Sequence, residues 1–259
     1  MTRSLTRASP RITPLRIPTA AGTFDAVAAG PEGGPKVLLL HGFPQSGRQW
    51  DHQLDRLAAA GYRAVAPDQR GYSPDVRPTA VEDYWLDYAV DDAVAMADAM
   101  GWHRFDLVGH DLGAAVAWIA AARYARRVRS LTALSFPHLG AFAGALRTDP
   151  AQQRMAKAML DQRPTAPAPA LNWYLANDFM GYDQRVTVPT SFIAGTKDPF
   201  IASSGVMATC TWVAAQYDLQ YLAGVGHDIP GEAAETTSLL LRRHLDLTAR
   251  GVAGRDRGR

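Results

Sequence analysis

The sequence predicts an α/β protein built on one mostly parallel, doubly wound sheet. Its 259 residues are enough for one large domain with a sizeable core. Short apolar runs alternate along the chain with longer amphipathic or alanine-rich segments, which is the pattern of strands joined by helices. Because several of these runs are continuously apolar, we expect strands that helices cover on both faces.

The individual elements follow in order. Two opening strands, ITPLRI and TFDAVAA, meet at a turn at Ala21–Gly22. The apolar runs then predict strands at 36–40, 62–67, 105–108, 131–136, 190–195 and 218–224. The intervening patterns predict helices at 48–60, 83–100, 112–124, 203–216 and 233–247.

Residues 138–186 interrupt this alternation. They hold two helical patterns around RPTAPAPA (163–170), whose prolines are incompatible with a continuous helix or a sheet ladder. We therefore expect a small helical cap, inserted after the sixth strand over the carboxyl edge of the sheet. Residues 12–137 and 187–247 would form the core beneath it.

Composition narrows the classes of protein that fit. The net charge is only +2, and basic residues gather in the ends 1–11 and 248–259, which we expect to be flexible tails rather than a nucleic-acid surface. No apolar run reaches the roughly 18–20 residues of a membrane span, and we expect a cytoplasmic protein.

Cys210, the one cysteine, is expected to be a buried structural thiol. No metal-ligand spacing or phosphate-binding loop is present, so we expect no metal and no cofactor.

One turn carries unusual chemistry. In DLVGHDLGAAVAW (106–118), an apolar strand leads through Gly109 and Gly113 into a helical pattern, which is the setting of a G-x-S-x-G nucleophile elbow. Asp111 occupies the position of the serine. An aspartate before a helix can also be only an N-cap, so its role depends on the residues that accompany it.

Two further polar residues follow later strands: Asp198 in AGTKDPF and His227 in GVGHDIP. Alone, Asp198 would be a turn residue and His227 a core histidine. Nucleophile, acid and histidine in this chain order form a catalytic triad when parallel strands bring their carboxyl ends together. We therefore predict a triad of Asp111, Asp198 and His227, whereas His41 and His110 are expected to bond backbone.

The chemistry of such a triad differs from that of a serine hydrolase. A carboxylate with an ordinary pKa of about 3.9 is already anionic at neutral pH, so Asp111 needs no base and can attack an sp³ carbon to form an alkyl ester. His227, oriented by Asp198, is then free to activate the water that hydrolyses this ester. The backbone N–H groups of Phe43 and Leu112 are the expected donors to the resulting oxyanion.

These motifs, together with HGFPQSGRQW, APDQRGYS, LNWY and TKDP, resemble the Asp-nucleophile branch of the α/β-hydrolase fold over roughly residues 12–247. That branch comprises the epoxide hydrolases and the haloalkane dehalogenases. The resemblance implies a hydrolase that acts on a small apolar organic substrate with water as co-substrate. We also expect a monomer or homodimer, with neither nucleic acid nor a membrane as partner.

The resemblance also allows the two reactions to be compared. Dehalogenases commonly bind halide through a Trp after the nucleophile and an Asn after the HG pair, and this chain has Leu112 and Phe43 there. The segment ALNWY resembles the second tyrosine motif of epoxide-hydrolase caps and suggests Tyr174 as the acid for the leaving oxygen. The alternative for Tyr174 is a core aromatic of the cap.

The chain departs from the epoxide-hydrolase pattern at the first cap tyrosine. That residue should fall near Met155–Met159, but residues 139–173 contain no tyrosine. His138 and Tyr182 are the candidate replacements. Pro44 and Trp173 complete the predicted substrate pocket.

The leading hypothesis is an epoxide hydrolase. A hydrolytic haloalkane dehalogenase, a biosynthetic hydrolase with another small-molecule substrate and a ligand-binding relative without turnover remain as alternatives.

Overall fold

The structure, a computed structural model, describes residues 12–161 and 169–255. Its centre is an eight-stranded sheet of order β1-β2-β4-β3-β5-β6-β7-β8. The strands are β1 (Thr13–Thr19), β2 (Gly22–Ala29), β3 (Lys36–Leu40), β4 (Arg63–Pro67), β5 (Phe105–His110), β6 (Val128–Leu134), β7 (Thr190–Gly195) and β8 (Tyr217–Leu222). Strand β2 runs antiparallel to β1 and β4, and all other neighbours are parallel. The predicted α/β class is confirmed.

The helices are α1 (Asp51–Ala59), α2 (Leu86–Ala99), α3 (Leu112–Arg123), α4 (Leu139–Thr148), α5 (Pro150–Asp161), α6 (Asn172–Ala176), α7 (Ser203–Ala208), α8 (Ile229–Glu232) and α9 (Ala234–Arg255). Short 3-10 turns cover Gly47–Trp50, Val81–Tyr84, Pro169–Leu171 and Thr209–Trp212. Across the residues that the structure describes, none of these helices has the length and apolarity needed to cross a bilayer.

The central strands of the sheet are buried on both faces. Its central strand β3 has four successive leucine and valine side chains with no exposed surface, from Val37 to Leu40. Helix α3 lies directly beside it and is buried along almost its whole length, from Leu112 to Ala121. Because the alanines of α3 are small, the helix packs closely against β3, β5 and β6, and this contact fixes the turn at its start.

The chain between β6 and β7 forms the inserted helices α4, α5 and α6, at the position predicted for the cap. Helix α4 packs against α5 and α7, and α6 packs against the turn Val81–Tyr84. Most of the Pro/Ala stretch lies outside the described residues.

Three expectations about elements need correction. The helix predicted for 203–216 ends at Ala208, because Trp212 stacks on His138 and Val213 pairs with Val186 in an isolated bridge. Cys210 lies on this turn and is exposed rather than buried. Helix α9 continues to Arg255, into the segment expected to be a flexible tail, while the predicted tail 1–11 lies outside the described residues.

Candidate active site

Asp111 lies at a strained turn between β5 and α3. Its backbone has φ 52° and ψ −121°, a left-handed conformation that non-glycine residues rarely adopt. The turn can form only because glycines flank it: a Cβ on Gly109 would lie 2.2 Å from the carbonyl oxygen of Gly113. A Cβ on Gly113 would lie 2.3 Å from the carbonyl oxygen of Leu40. The sharp turn projects the Asp111 carboxylate beyond the carboxyl end of the sheet.

His227 stands between two carboxylates. Its Nδ1 is 2.7 Å from Oδ2 of Asp198, and its Nε2 is 3.4 Å from Oδ1 of Asp111. The other oxygen of Asp198 accepts the backbone N–H groups of Phe200 and Ile201 at 2.8 and 3.2 Å, which fixes the orientation of that carboxylate. The structure therefore brings the three residues of the predicted triad together.

The charges of this group are strongly coupled. Burial disfavours the cationic form of His227, but the hydrogen bonds and charges of Asp111 and Asp198 outweigh burial and raise its pKa to about 10. Burial also disfavours the Asp111 anion, yet the hydrogen bond and charge of His227 prevail and lower the pKa of Asp111. At neutral pH the resting site therefore pairs an anionic Asp111 with a protonated His227.

A backbone donor faces the other oxygen of Asp111. The N–H of Phe43 donates to Oδ2 of Asp111 at 3.0 Å. Gly42 allows this approach, since a Cβ there would lie 2.6 Å from Cβ of Asp111. The Phe43–Pro44 peptide is cis. The Leu112 amide begins α3 beside the carboxylate, and among the described residues only Phe43 donates a backbone bond to it.

The carboxylate opens onto two adjoining cavities. The inner cavity, of about 220 Å³, is mostly apolar, and the outer one, of about 500 Å³, is more polar and open. Asp111, His227, Tyr174, Phe200 and Met159 line both cavities.

Three phenylalanines form the apolar wall of the inner cavity. The ring centroids of Phe136 and Phe142 are 4.9 Å apart, and those of Phe136 and Phe179 are 5.5 Å apart. Helix α5 adds Ala156 and Met159 in the region where the first cap tyrosine was expected. These wall residues were not predictable from the sequence, because a single apolar side chain in the inserted segment carries no sign of which cavity it faces.

The predicted pocket residues divide into two groups. Pro44 and Tyr174 line the cavities, and the ring of Tyr174 meets the ring of Phe43 edge-on at 5.4 Å. His138, Tyr182 and Trp173 are not among the described residues that line these two cavities, so the structure does not support their assignment to the pocket.

Each of these three side chains has a polar partner elsewhere. His138 caps α4 by accepting the N–H of Gly140, and its Nε2 is 3.1 Å from the carbonyl oxygen of Gln184. The Tyr182 hydroxyl donates to Asp87, and the Trp173 indole N–H donates to the carbonyl of Arg70.

Two other histidines border the site, as the sequence analysis anticipated. Nδ1 of His41 is 2.8 Å from the carbonyl of Gly42, and its Nε2 accepts the N–H of Gln69. His110 contacts the carbonyl of His227 and, through its other nitrogen, the side chain of Gln49. The involvement of Gln49 was not predicted from the sequence.

The chain belongs to the α/β hydrolases. The family model described as alpha/beta hydrolase fold matches residues 35–173, more than half of the chain.

More particular likenesses come from individual proteins. The chain is 47% identical over 113 residues to Epoxide hydrolase A of Mycobacterium tuberculosis, an alignment that covers 44% of this chain and 35% of the relative. It is 39% identical over 138 residues to Epoxide hydrolase 4 of Mus musculus, covering 53% and 38% of the two chains. The chain thus spans little more than a third of the length of the curated relatives it matches.

Solved structures match over a much larger part of the chain. Epoxide Hydrolase A from Mycobacterium thermoresistibile superimposes with a TM-score of 0.74 at 25% identity, covering 91% of this chain and 98% of that one. A structure of novel epoxide hydrolases from metagenomes of hot environments gives a TM-score of 0.82, also at 25% identity, covering 91% and 99%.

Proposed function

We propose that this protein hydrolyses an epoxide to a vicinal diol through a covalent ester of Asp111. The observation that carries the proposal is the carboxylate at the elbow, whose Oδ1 faces His227 while its Oδ2 is held by the Phe43 N–H. The names of the relatives and of the superimposed structures support the same reaction.

In the first step, Oδ1 of Asp111 attacks one carbon of the epoxide. A carbon–oxygen bond of the ring breaks, and its electron pair moves to the oxygen, which takes a proton from the Tyr174 hydroxyl. The product is a hydroxyalkyl ester of Asp111. What supports this role for Tyr174 is that it lines both cavities together with Asp111.

Ester formation then changes the charge around His227. Once alkylated, Asp111 is neutral, so one of the two carboxylates that raise the pKa of His227 is lost. The imidazolium can now return a proton to the Tyr174 phenolate and become neutral. The histidine thus becomes a base only after there is an ester to hydrolyse.

In the second step, neutral His227 removes a proton from a water that attacks Cγ of Asp111. The oxyanion forms on Oδ2, where the Phe43 N–H already donates and where the Leu112 N–H would be the second donor. Collapse breaks the bond from Cγ to Oδ1, and the diol leaves with the proton from His227. The acid hydrogen of the restored carboxyl returns to His227, which regenerates the resting pair.

The cavities suggest the kind of substrate. An inner cavity of about 220 Å³ walled by phenylalanines favours an apolar substituent on the epoxide, and larger or more polar substituents fit the outer cavity. Dehalogenation is less favoured, because Leu112 and Phe43 carry no side-chain N–H to stabilise a leaving halide.

The experiment that tests the proposal is a panel of small epoxides and haloalkanes, assayed for diol and halide release. The wild type should release diol, and Asp111→Asn should lose turnover because its amide is a poor nucleophile. His227→Gln should form the ester without hydrolysing it, visible as a substrate-sized mass increase on the intact protein. Halide release without diol release would indicate the dehalogenase, and ligand-induced thermal stabilisation without turnover would indicate a binding protein.

A further inference from the structure

Gln49 connects three loops that meet at the site. Its Oε1 accepts the N–H of Gly42 at 3.3 Å, on the loop that carries Phe43. Its Nε2 lies 3.0 Å from Nδ1 of His110, on the elbow, and donates to Oδ1 of Asp228 at 3.1 Å, on the loop that carries His227. The Gln49 amide can bond to both the N–H of Gly42 and the carboxylate of Asp228 in only one orientation, with Oε1 toward Gly42 and Nε2 toward Asp228.

This orientation determines the tautomer of His110. Both hydrogens of the Gln49 amide are directed outward, one to Asp228 and one to His110, so Nδ1 of His110 must accept. Burial lowers the pKa of His110 and keeps the ring neutral. Its proton therefore lies on Nε2, which is 2.9 Å from the carbonyl oxygen of His227 and donates to it.

The carbonyl of His227 has a second donor. Oγ of Ser135 donates to the same oxygen at 2.6 Å. The backbone of His227 is thus held from one side by His110 and Ser135, while Asp198 holds the ring from the other. The ring position depends on both sets of bonds.

We propose that Gln49 is a positioning residue for ester hydrolysis, acting on two components at once. Through Gly42 it holds the loop whose next N–H, that of Phe43, faces the oxyanion. Through His110 and Asp228 it fixes the backbone of His227. The inference rests on the proposed function, because it assigns Gln49 to one half of that reaction.

The two half-reactions should depend on Gln49 unequally. Alkylation needs the Asp111 anion and an acid from the cap, whereas the hydrogen bonds of Gln49 described above run to Gly42, His110 and Asp228. Hydrolysis needs the His227 ring and the Phe43 N–H in place at the same time. Loss of Gln49 should therefore slow hydrolysis more than alkylation.

The test compares Gln49→Met with Gln53→Met, using rapid-quench and intact-mass measurement on an epoxide that the wild type turns over. Gln53 is a matched control: it is buried on α1 and donates to the carbonyls of Pro230 in α8 and Ala234 in α9, and neither of these hydrogen bonds reaches a triad residue. In Gln49→Met we expect hydrolysis to slow about tenfold or more, with accumulation of the ester. In Gln53→Met the ratio of the two rates should stay as in the wild type. An unchanged ratio in Gln49→Met, or an equal change in both variants, overturns the proposal.

A second variant, Gln49→Glu, separates the contact with Gly42 from the contacts with His110 and Asp228. It also gives an independent result if Gln49→Met does not fold. Gln49→Glu keeps an acceptor for Gly42 but has no hydrogens for His110 and Asp228, so the ester should still accumulate. Nitrogen-15 NMR of the histidines gives a readout that needs no substrate: His110 should be the Nε2–H tautomer in the wild type and should gain a proton on Nδ1 in Gln49→Glu. Failure of the wild type to turn over any epoxide would count against the proposed function, whereas an Nδ1–H tautomer of His110 in the wild type would count against the role of Gln49.

Discussion

At the scale of single residues, the proposed mechanism depends on a charge arrangement that changes during the reaction. His227 is buried between Asp111 and Asp198, and both carboxylates raise its pKa. A protonated histidine cannot accept a proton from water. In the proposed mechanism, alkylation of Asp111 removes one negative charge, which makes the histidine available as a base in the step that needs one.

Asp111→Asn imitates the neutral state of the ester. It tests whether the charge of Asp111 controls the pKa of His227. The pKa of His227, about 10 in the wild type, should fall markedly in the variant, because only Asp198 remains to stabilise the cation. Histidine NMR titrations of the two proteins measure the change directly.

The raised pKa of His227 in the wild type also predicts that the stability of the fold depends on pH. The pKa of His227 is higher in the folded protein than its unfolded value of about 6.5. Protonation of His227 therefore stabilises the wild-type fold fully below pH 6.5, and this stabilisation is lost as the pH rises toward 10. In Asp111→Asn this loss should be smaller. A His227 pKa that is equal in both proteins would show that Asp111 does not control the histidine.

At the scale of secondary-structure elements, the inserted helices carry Tyr174, the proposed acid, and part of the wall of the inner cavity. Helix α6 carries Tyr174, and α5 presents Ala156 and Met159 where the first cap tyrosine was expected. Tyr182, one of the candidate replacements, instead donates its hydroxyl to Asp87. The proposed site therefore relies on Tyr174 for ring opening.

Tyr174→Phe should lower kcat/KM for epoxides by about 100-fold or more, since a general acid contributes on the order of 10²–10⁴-fold. The loss should appear in the alkylation step, measured as the rate of ester formation in a His227→Gln background. Tyr182→Phe is the matched control and should leave that rate near the wild-type value. Equal rates in Tyr174→Phe and Tyr182→Phe would exclude Tyr174 as the acid.

Element boundaries were predictable where local pattern and tertiary packing agree. The strands β3 and β7 fall at their predicted positions, because a short apolar run between turn residues has few alternatives. The segment 203–216 has helical periodicity, yet its second half is a 3-10 turn followed by an isolated bridge at Val213 and two bends. The contacts of Trp212 with His138 and of Val213 with Val186 come from distant parts of the chain, and local periodicity cannot indicate them.

At the scale of the whole molecule, the parallel sheet is what unites the site. Asp111 follows β5, Asp198 follows β7 and His227 follows β8, so residues more than a hundred positions apart meet at one edge. The proximity of these three residues was predictable, because the strand ends and the order of the residues along the chain can be read from the sequence. The positions of His138, Tyr182 and Trp173 were not, because the direction of a side chain in the inserted segment depends on how that segment packs.

The central claim is that the oxygen added to the epoxide comes from Asp111 and not directly from water. A single turnover in oxygen-18 water, with enzyme in excess over substrate, tests it by mass spectrometry of the diol and of the peptide that contains Asp111. The covalent route predicts an unlabelled diol and one oxygen-18 atom in the Asp111 carboxylate. A labelled diol with an unlabelled Asp111 would contradict it.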